Sequence, residues 1–361
     1  MKTIDIGGLP VGPEHPPVFF AEIGSFFNGD VELARRMIRA VIEAHRKVPR
    51  QPMILKTEIL DDPEICLPGE FEETYASKGG GVRKENYRAL IERKVLPLES
   101  YRELFAIPRE AGVPFVVSVY DFRAADFSRE NGAAALKIAS SNVTHVPLIR
   151  HVARLGLPMV IDTGRTTIAE VHRAVDVARA AGCSDIVLQH SPDGHPALPE
   201  AHNLRILQTL AQAFNLPTGL SDHYVGVEML YVAIALGASV LEKGVAFDPE
   251  DLDQDISHTM STRDLPGVLE RTNDCWLALG ATARDPAYKV KGVIGSSQRQ
   301  GLVARRALVP GDAINLETVR FAFPRMGIPV ESWDLVDGWR LAESVAAGRP
   351  IEWRHVRPSP V

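Results

Sequence analysis

Cysteine is scarce in this chain. The 361 residues hold three, Cys66, Cys183 and Cys275, far apart and in no CxxC or zinc-type spacing. So sparse and odd a set excludes a disulfide framework and fits a reducing compartment, leaving all three as packing residues. Long apolar runs are lacking too. No stretch approaches about 18 uninterrupted apolar residues, which excludes an ordinary transmembrane helix. The opening MKTIDIGGLPVG lacks the apolar core of a signal peptide, so the cytoplasm is the expected compartment. Nor is there an excess of positive charge. A formal charge of −6 and a pI near 6.0 leave no footprint for nucleic acid or an anionic membrane surface. Finally, no GxGxxG turn follows the first strand candidate, which counts against a doubly wound dinucleotide-binding sheet.

What is present is alternation on a larger scale. Short, uniformly apolar runs at 18–24, 52–58, 114–121, 134–141, 158–164, 185–191, 217–223 and 238–245 alternate with amphipathic stretches such as VELARRMIRAVIEAH, AEVHRAVDVARAAG and NLRILQTLAQAF. Runs of this kind read as parallel strands covered on both faces. Eight such units in about 260 residues predict a (β/α)8 barrel, an α/β fold. Gly112, Gly156, Gly182 and Gly237 stand just before strands, where glycine closes a preceding helix. The barrel is expected over 1–282, with a hairpin in 1–17 and a polar linker over 283–299. Turn signals at Pro310-Gly311 and Gly348 predict a small β-rich domain over 300–361.

At nearly every expected strand end the apolar run gives way to ionisable or polar residues. In order these are Glu22; Lys56 with Glu58; Ser118 with Asp121; Lys137 with Ser140; Asp162 with Thr163; His190 with Ser191; Ser221-Asp222-His223; and Glu242-Lys243. A barrel brings all eight ends to one rim, where active sites are built. A single polar residue after a strand is as readily a helix cap, and Asp162, Thr163 and Ser221 fit that reading equally. Lys56 and Lys137 follow apolar runs and suit an anionic substrate, a Schiff base, or simple pairing with Glu22 or Glu58. His223 and His190 are metal or general-base candidates, and Asp255 lies in a long loop after the eighth strand. His195, His202 and His258 have only loop position in their favour.

The strings FFAEIGSFFNGD, MILKTE, LKIASSNVTHVPLIRHVARLGLPMVIDTG, GLSDH and LGASVLEK, in this order, resemble the sialic acid synthase family. GLVARRALVPGDAI and IEWRHV resemble its antifreeze-like SAF domain. The resemblance implies condensation of phosphoenolpyruvate with an N-acyl hexosamine aldehyde to a 2-keto sugar acid, aided by Mn2+ or Mg2+. It further implies that Lys56, Lys137, Ser140 and Ser221 contact phosphoenolpyruvate, and that Asp162 and Thr163 stand in the same binding stretch. Glu22 would act near the reacting carbon, His223 would bind metal, and Asp255 would hold sugar hydroxyls. It also implies a homodimer in which the SAF domain caps the partner's barrel.

The chain departs from the family pattern in several places. The second metal-ligand position falls at Gly244, so His190 is considered as a replacement, with Asp162 and Glu242 as other candidates. Phe26-Phe27 replace an Asn-His pair, Asp162 a serine, Val119 a threonine, and Asn142 an acid. Phe323 stands where a sugar-contacting arginine is expected, with Arg325 two residues on. Two rival readings follow: a barrel lyase, aldolase or other transferase that does not use phosphoenolpyruvate, and a non-catalytic binding protein.

Overall fold

The computed structural model describes residues 1–76, 81–247, 255–280 and 299–359. The chain divides into two compact units, Met1–Gly280 and Ala281–Val361.

The first unit opens with an antiparallel hairpin, β1 (Ile4–Ile6) and β2 (Leu9–Val11). The barrel strands are β3 (Val18–Glu22), β4 (Met53–Glu58), β7 (Phe115–Ser118), β8 (Ala135–Ile138), β9 (Met159–Asp162), β10 (Ile186–His190), β11 (Thr218–Asp222) and β12 (Val240–Ala246). A second hairpin, β5 (Glu72–Ala76) with β6 (Val82–Asn86), is inserted between β4 and β7. The eight barrel strands pair in parallel in sequence order. β12 closes the ring against both β11 and β3. This is the (β/α)8 barrel, and each predicted run contains its strand except the last, where β12 runs one residue beyond 245.

Local signals explain the helices. Asp30 caps the helix Val31–Arg46 by accepting from the Glu32 and Leu33 amides at 2.9 and 3.0 Å, satisfying donors that a helix start leaves orphaned. The four glycines before strands all have positive φ, between 70° and 108°, which an L side chain adopts only with strain.

Strand alternation sorts the side chains into three sets. One parity (Phe19 and Ala21, Met53 and Leu55, Leu136 and Ile138) packs outward beneath the helices. The other parity faces the barrel axis. At the amino ends it forms an apolar floor of Phe20, Ile54, Val116, Ala135, Val160, Val187 and Val240, plugged by Ile4, Ile6 and Val11 of the hairpin. Two residues further along, the same inward parity becomes polar. That step of two defines the site.

The second unit holds antiparallel pairs β14 (Gly301–Ala304) with β15 (Val319–Ala322) and β16 (Arg340–Leu341) with β17 (Val356–Arg357). Its core gathers Leu302, Ile314, Ile328, Leu341 and Ile351. A short strand β13 (Met260–Ser261) pairs in parallel with the end of β12 in the first unit. The linker expected over 283–299 lies outside the described residues except for Arg299. No described helix is long and apolar enough to cross a membrane.

Candidate active site

Adding two to each of the seven floor positions gives Glu22, Lys56, Ser118, Lys137, Asp162, Gln189 and Glu242, and the same step from Gly219 on β11 gives Ser221, one inward residue per strand. Glu242 is the hub. Lys137 Nζ donates to its Oε1 at 2.7 Å, Ser221 Oγ donates to the same oxygen at 3.0 Å, and Gln189 Nε2 donates to Oε2 at 3.1 Å. Lys56 Nζ is 3.4 Å from that Oε1 and also bonds Glu22. Lys137 further pairs with Asp162 Oδ2 at 3.0 Å. The Ser118 hydroxyl is buried without a hydrogen-bond partner among the described residues.

Two ammonium groups and three carboxyl groups thus share a water-poor layer, where an unpaired charge is costly. Burial would raise Glu242, but Lys137 and Lys56 outweigh it and bring its pKa down to about 2. Burial pushes Glu22 up to about 8, with Glu242 and Glu58 adding to the rise and Lys56 opposing it. Burial also raises Asp162, against the pull of Lys137. For the lysines burial works downward. Glu22 and Glu242 outweigh it at Lys56, and Asp162 and Glu242 outweigh it at Lys137, so both shift upward. Near neutral pH a proton therefore sits on Glu22, while the Lys56 and Lys137 ammonium groups face the ionised Glu242, with Asp162 beside Lys137. Perturbed, mutually dependent acids of this kind at a barrel mouth mark a reactive site.

A second cluster stands above Ser221. His223, the next inward position along that segment, meets His195 from the loop after β10 and His258 from the turn after β12. Ring centroids lie 4.5 Å (His195–His223), 4.6 Å (His223–His258) and 5.4 Å (His195–His258) apart. One ligand atom from each lies within 4.8 Å of the others. His195 Nδ1 is 2.8 Å from Asp255 Oδ1. Burial, then the neighbouring imidazoles, hold His223 well below its usual value. Burial likewise takes His258 down to about 3. At His195 burial is outweighed by Asp255 and the net shift is upward. His223 and His258 are thus neutral imidazoles near neutral pH, the form that binds cations. His223 Nδ1 and His258 Nδ1 are buried with no hydrogen-bond partner among the described residues, so the residues present fit a cation.

The remaining expected residues are placed as follows. Ser140 Oγ accepts from the Gly164 amide at 3.1 Å at the rim. Thr163 is held there by its amide, which donates to the Gln189 carbonyl at 2.8 Å. His190 does not join His223: its Nε2 faces the His202 carbonyl at 2.7 Å. It has the outward parity, as do Asp222 and Lys243, which pair at 2.8 Å with His202 alongside at 3.1 Å. At Gly244 a β-carbon would stand 2.9 Å from Thr259 Cγ2 and 3.4 Å from Phe26 Cζ. That position is filled by neighbours, not by a ligand. Arg325 belongs to the second unit, exposed and 3.2 Å from Glu331. A cleft of about 320 Å³ between helices Val146–Arg154 and Ile168–Ala180 is lined by Arg150, Arg154 and Asp176 and holds no residue of either cluster.

Comparison with known proteins gives consistent matches. The NeuB family model matches residues 56–284 and the SAF domain model matches residues 299–357. An N,N'-diacetyllegionaminic acid synthase of Legionella pneumophila is 28% identical over 356 residues, covering 97% of this chain and 98% of that one. An N-acetylneuraminate-9-phosphate synthase of Mus musculus is 27% identical, covering 90% and 88%. The crystal structure of a putative spore coat polysaccharide biosynthesis protein E of Chromobacterium violaceum superposes with a TM-score of 0.71 at 23% identity, covering 95% of this chain and 100% of that one.

Proposed function

The chain belongs to the NeuB family, the sialic acid synthase family, and from that membership we propose that it joins phosphoenolpyruvate to an N-acyl hexosamine-type aldehyde. The products would be a 2-keto sugar acid and inorganic phosphate. Its relatives are synthases of sugar acids, which supports an enzyme of that class. In this reaction C3 of the enol attacks the aldehyde carbon and water adds at C2. The bond from C2 to the phosphate oxygen breaks as C2 becomes the ketone, and of the water's two protons one ends on the aldehyde oxygen and one on the departing phosphate.

The observation that carries the reading is the convergence of Lys56 and Lys137 on one buried layer at the strands' carboxyl ends. Ammonium groups there can hold the carboxylate and phosphate of the donor, a gain enlarged by the low local dielectric. Ser221 and the unpartnered Ser118 hydroxyl add donors beside them. Ser140, Thr163 and the Gly164 amide form the adjoining rim. Glu22, with its pKa near 8, can hold or release a proton beside the reacting carbons at neutral pH. A divalent ion held at His223 would supply Lewis acidity for the aldehyde oxygen. Asp255 orients His195 beside it and lines the expected sugar side.

We extend the proposal to a cytoplasmic homodimer in which the SAF domain closes the partner's barrel and offers Arg325 to the substrate. The exposure of Arg325 supports its availability. A Schiff-base lyase is less well supported, because both lysines are pushed upward by carboxylates, whereas a nucleophilic amine needs a depressed pKa. The test is phosphate release from phosphoenolpyruvate in the presence of a panel of N-acyl hexosamines. Aldehyde-dependent release supports the reading; borohydride trapping of a lysine with a keto acid, without phosphate release, overturns it.

A further inference from the structure

Three imidazoles from three separate segments meet above β11, and nothing else in the described protein accounts for them. His195 comes from the loop after β10, His223 from the end of β11, and His258 from the 3-10 turn Ile256–His258. All are at least partly buried. Stacked rings could satisfy apolar burial alone, but two ring nitrogens here, His223 Nδ1 and His258 Nδ1, have no hydrogen-bond partner among the described residues. A buried polar atom left unsatisfied costs about 1–3 kcal/mol. Two such atoms from separate segments, in one cluster, need a common partner.

We propose that His195, His223 and His258 form a three-nitrogen metal centre selective for a nitrogen-preferring divalent ion, Zn2+, Fe2+, Co2+ or Ni2+, over Mg2+ and Mn2+. The inference deepens the reading of a metal-assisted condensation and rests on it for what the ion does. The binding site itself stands on the geometry.

The spacing is suitable. Tetrahedral nitrogen ligands about 2.0–2.1 Å from an ion sit about 3.3 Å from one another. The ligand atoms here lie within 4.8 Å of one another, so small ring rotations bring them onto one ion. Asp255 supplies the orienting contact usual behind such ligands. Its carboxylate oxygen lies 2.8 Å from His195 Nδ1, an ion-pair contact outside hydrogen-bond geometry that a small ring rotation converts into the orienting bond, leaving Nε2 as the donor to the ion. With three protein nitrogens, a fourth position remains for a substrate oxygen or water.

The donor atoms set the selectivity. Mg2+ demands octahedral oxygen ligands, and Mn2+ also favours carboxylate and carbonyl oxygen. Imidazole suits the later first-row ions, whose affinity for nitrogen sites rises toward the end of the row. Phe26 and Thr259 fill the space beside Gly244, so no ligand enters from that position on β12. The centre is built from loops instead.

The experiment uses full-length protein stripped with a chelator and titrated with Zn2+, Co2+, Mn2+ and Mg2+ by calorimetry, without substrate. Co2+ absorption spectra report coordination directly. The expected result is one Zn2+ or Co2+ per chain, bound at least a hundredfold tighter than Mg2+. His195→Ala and His258→Ala should each weaken Zn2+ binding by roughly tenfold or more, in the range seen when groups that set a metal site are lost. His190→Gln, a ring committed to the His202 carbonyl, should leave binding unchanged. His258→Gln, of similar volume, guards against misfolding and should lose the Co2+ spectrum while keeping its circular dichroism. Equal affinity for Mg2+ and Zn2+, or full binding in folded His258→Gln, overturns the proposal. Metal binding as described without phosphate release leaves the centre standing and removes the condensation; phosphate release with intact metal binding in both histidine variants does the reverse.

Discussion

The ring of Phe26 occupies the space that any side chain at position 244 would need, standing 3.4 Å from the β-carbon position of Gly244. Phenylalanine there and glycine here are complementary: the large residue closes over the small one, and Thr259 Cγ2 presses in from the other side at 2.9 Å.

Restoring a ligand at this position should therefore fail by crowding. Gly244→His is expected to lower stability by about 1–3 kcal/mol, the cost of overpacking. The double variant with Phe26→Ala should lose less than the sum of the two single changes, because the two residues share one volume. Denaturant unfolding of the four proteins measures the difference.

Lys56 is buried between Glu22 and Glu242. Lys56→Ala should reduce turnover at least about tenfold by removing one of the two cations that hold the anionic donor. It should also destabilise by about 3–5 kcal/mol, the usual result of orphaning a buried ion-pair partner. Cys183→Ala, far from the mouth beneath Leu157, should leave turnover intact. Steady-state rates alongside melting curves separate the two effects.

Asp162 competes for Lys137 with any incoming anion, its Oδ2 being 3.0 Å away. Asp162→Ser should lower KM for phosphoenolpyruvate by roughly tenfold, since a like charge is removed from an anion site. Initial rates against donor concentration give the answer. A raised KM would mean that the carboxylate assists binding.

Glu22 gives the pH dependence. Its folded pKa, about 8, lies above the ordinary glutamate value of 4.5. Between these values the folded chain holds a proton that the unfolded chain has released, so stability falls as pH rises through that window. It is greatest below about 4.5 for this group and the loss is complete above about 8, amounting to a few kcal/mol at most. Glu22→Gln should flatten that slope. Unfolding at several pH values, wild type against variant, measures it.

The barrel was legible in the sequence because eight apolar runs with glycine-closed helices admit few other folds. The site was legible only in part. Glu22, Lys56, Lys137, Asp162 and Ser221 were visible as polar residues at strand ends, and all five face the axis. Gln189 went unnoticed and His190 was considered in its place, because adjacent strand residues differ in parity and a strand covered on both faces shows no alternation. The available signal was the step of two from Val187, as from Val160 to Asp162 or Val240 to Glu242. Glu242, noted only as a possible ligand, proves to be the hub by the same count. His195 and His258 had no periodic signal at all. Loops bring them to His223, and loop paths are not written in strand or helix periods.

The most direct measurement follows the carbon skeleton. The protein is incubated with phosphoenolpyruvate labelled with carbon-13 at all three carbons and an N-acyl hexosamine, and products are resolved by mass spectrometry. The account predicts a 2-keto acid carrying all three labelled carbons joined to the sugar, formed one for one with inorganic phosphate. Labelled pyruvate released alone, or no labelled sugar acid with any aldehyde of the panel in the metal-loaded protein, would contradict it.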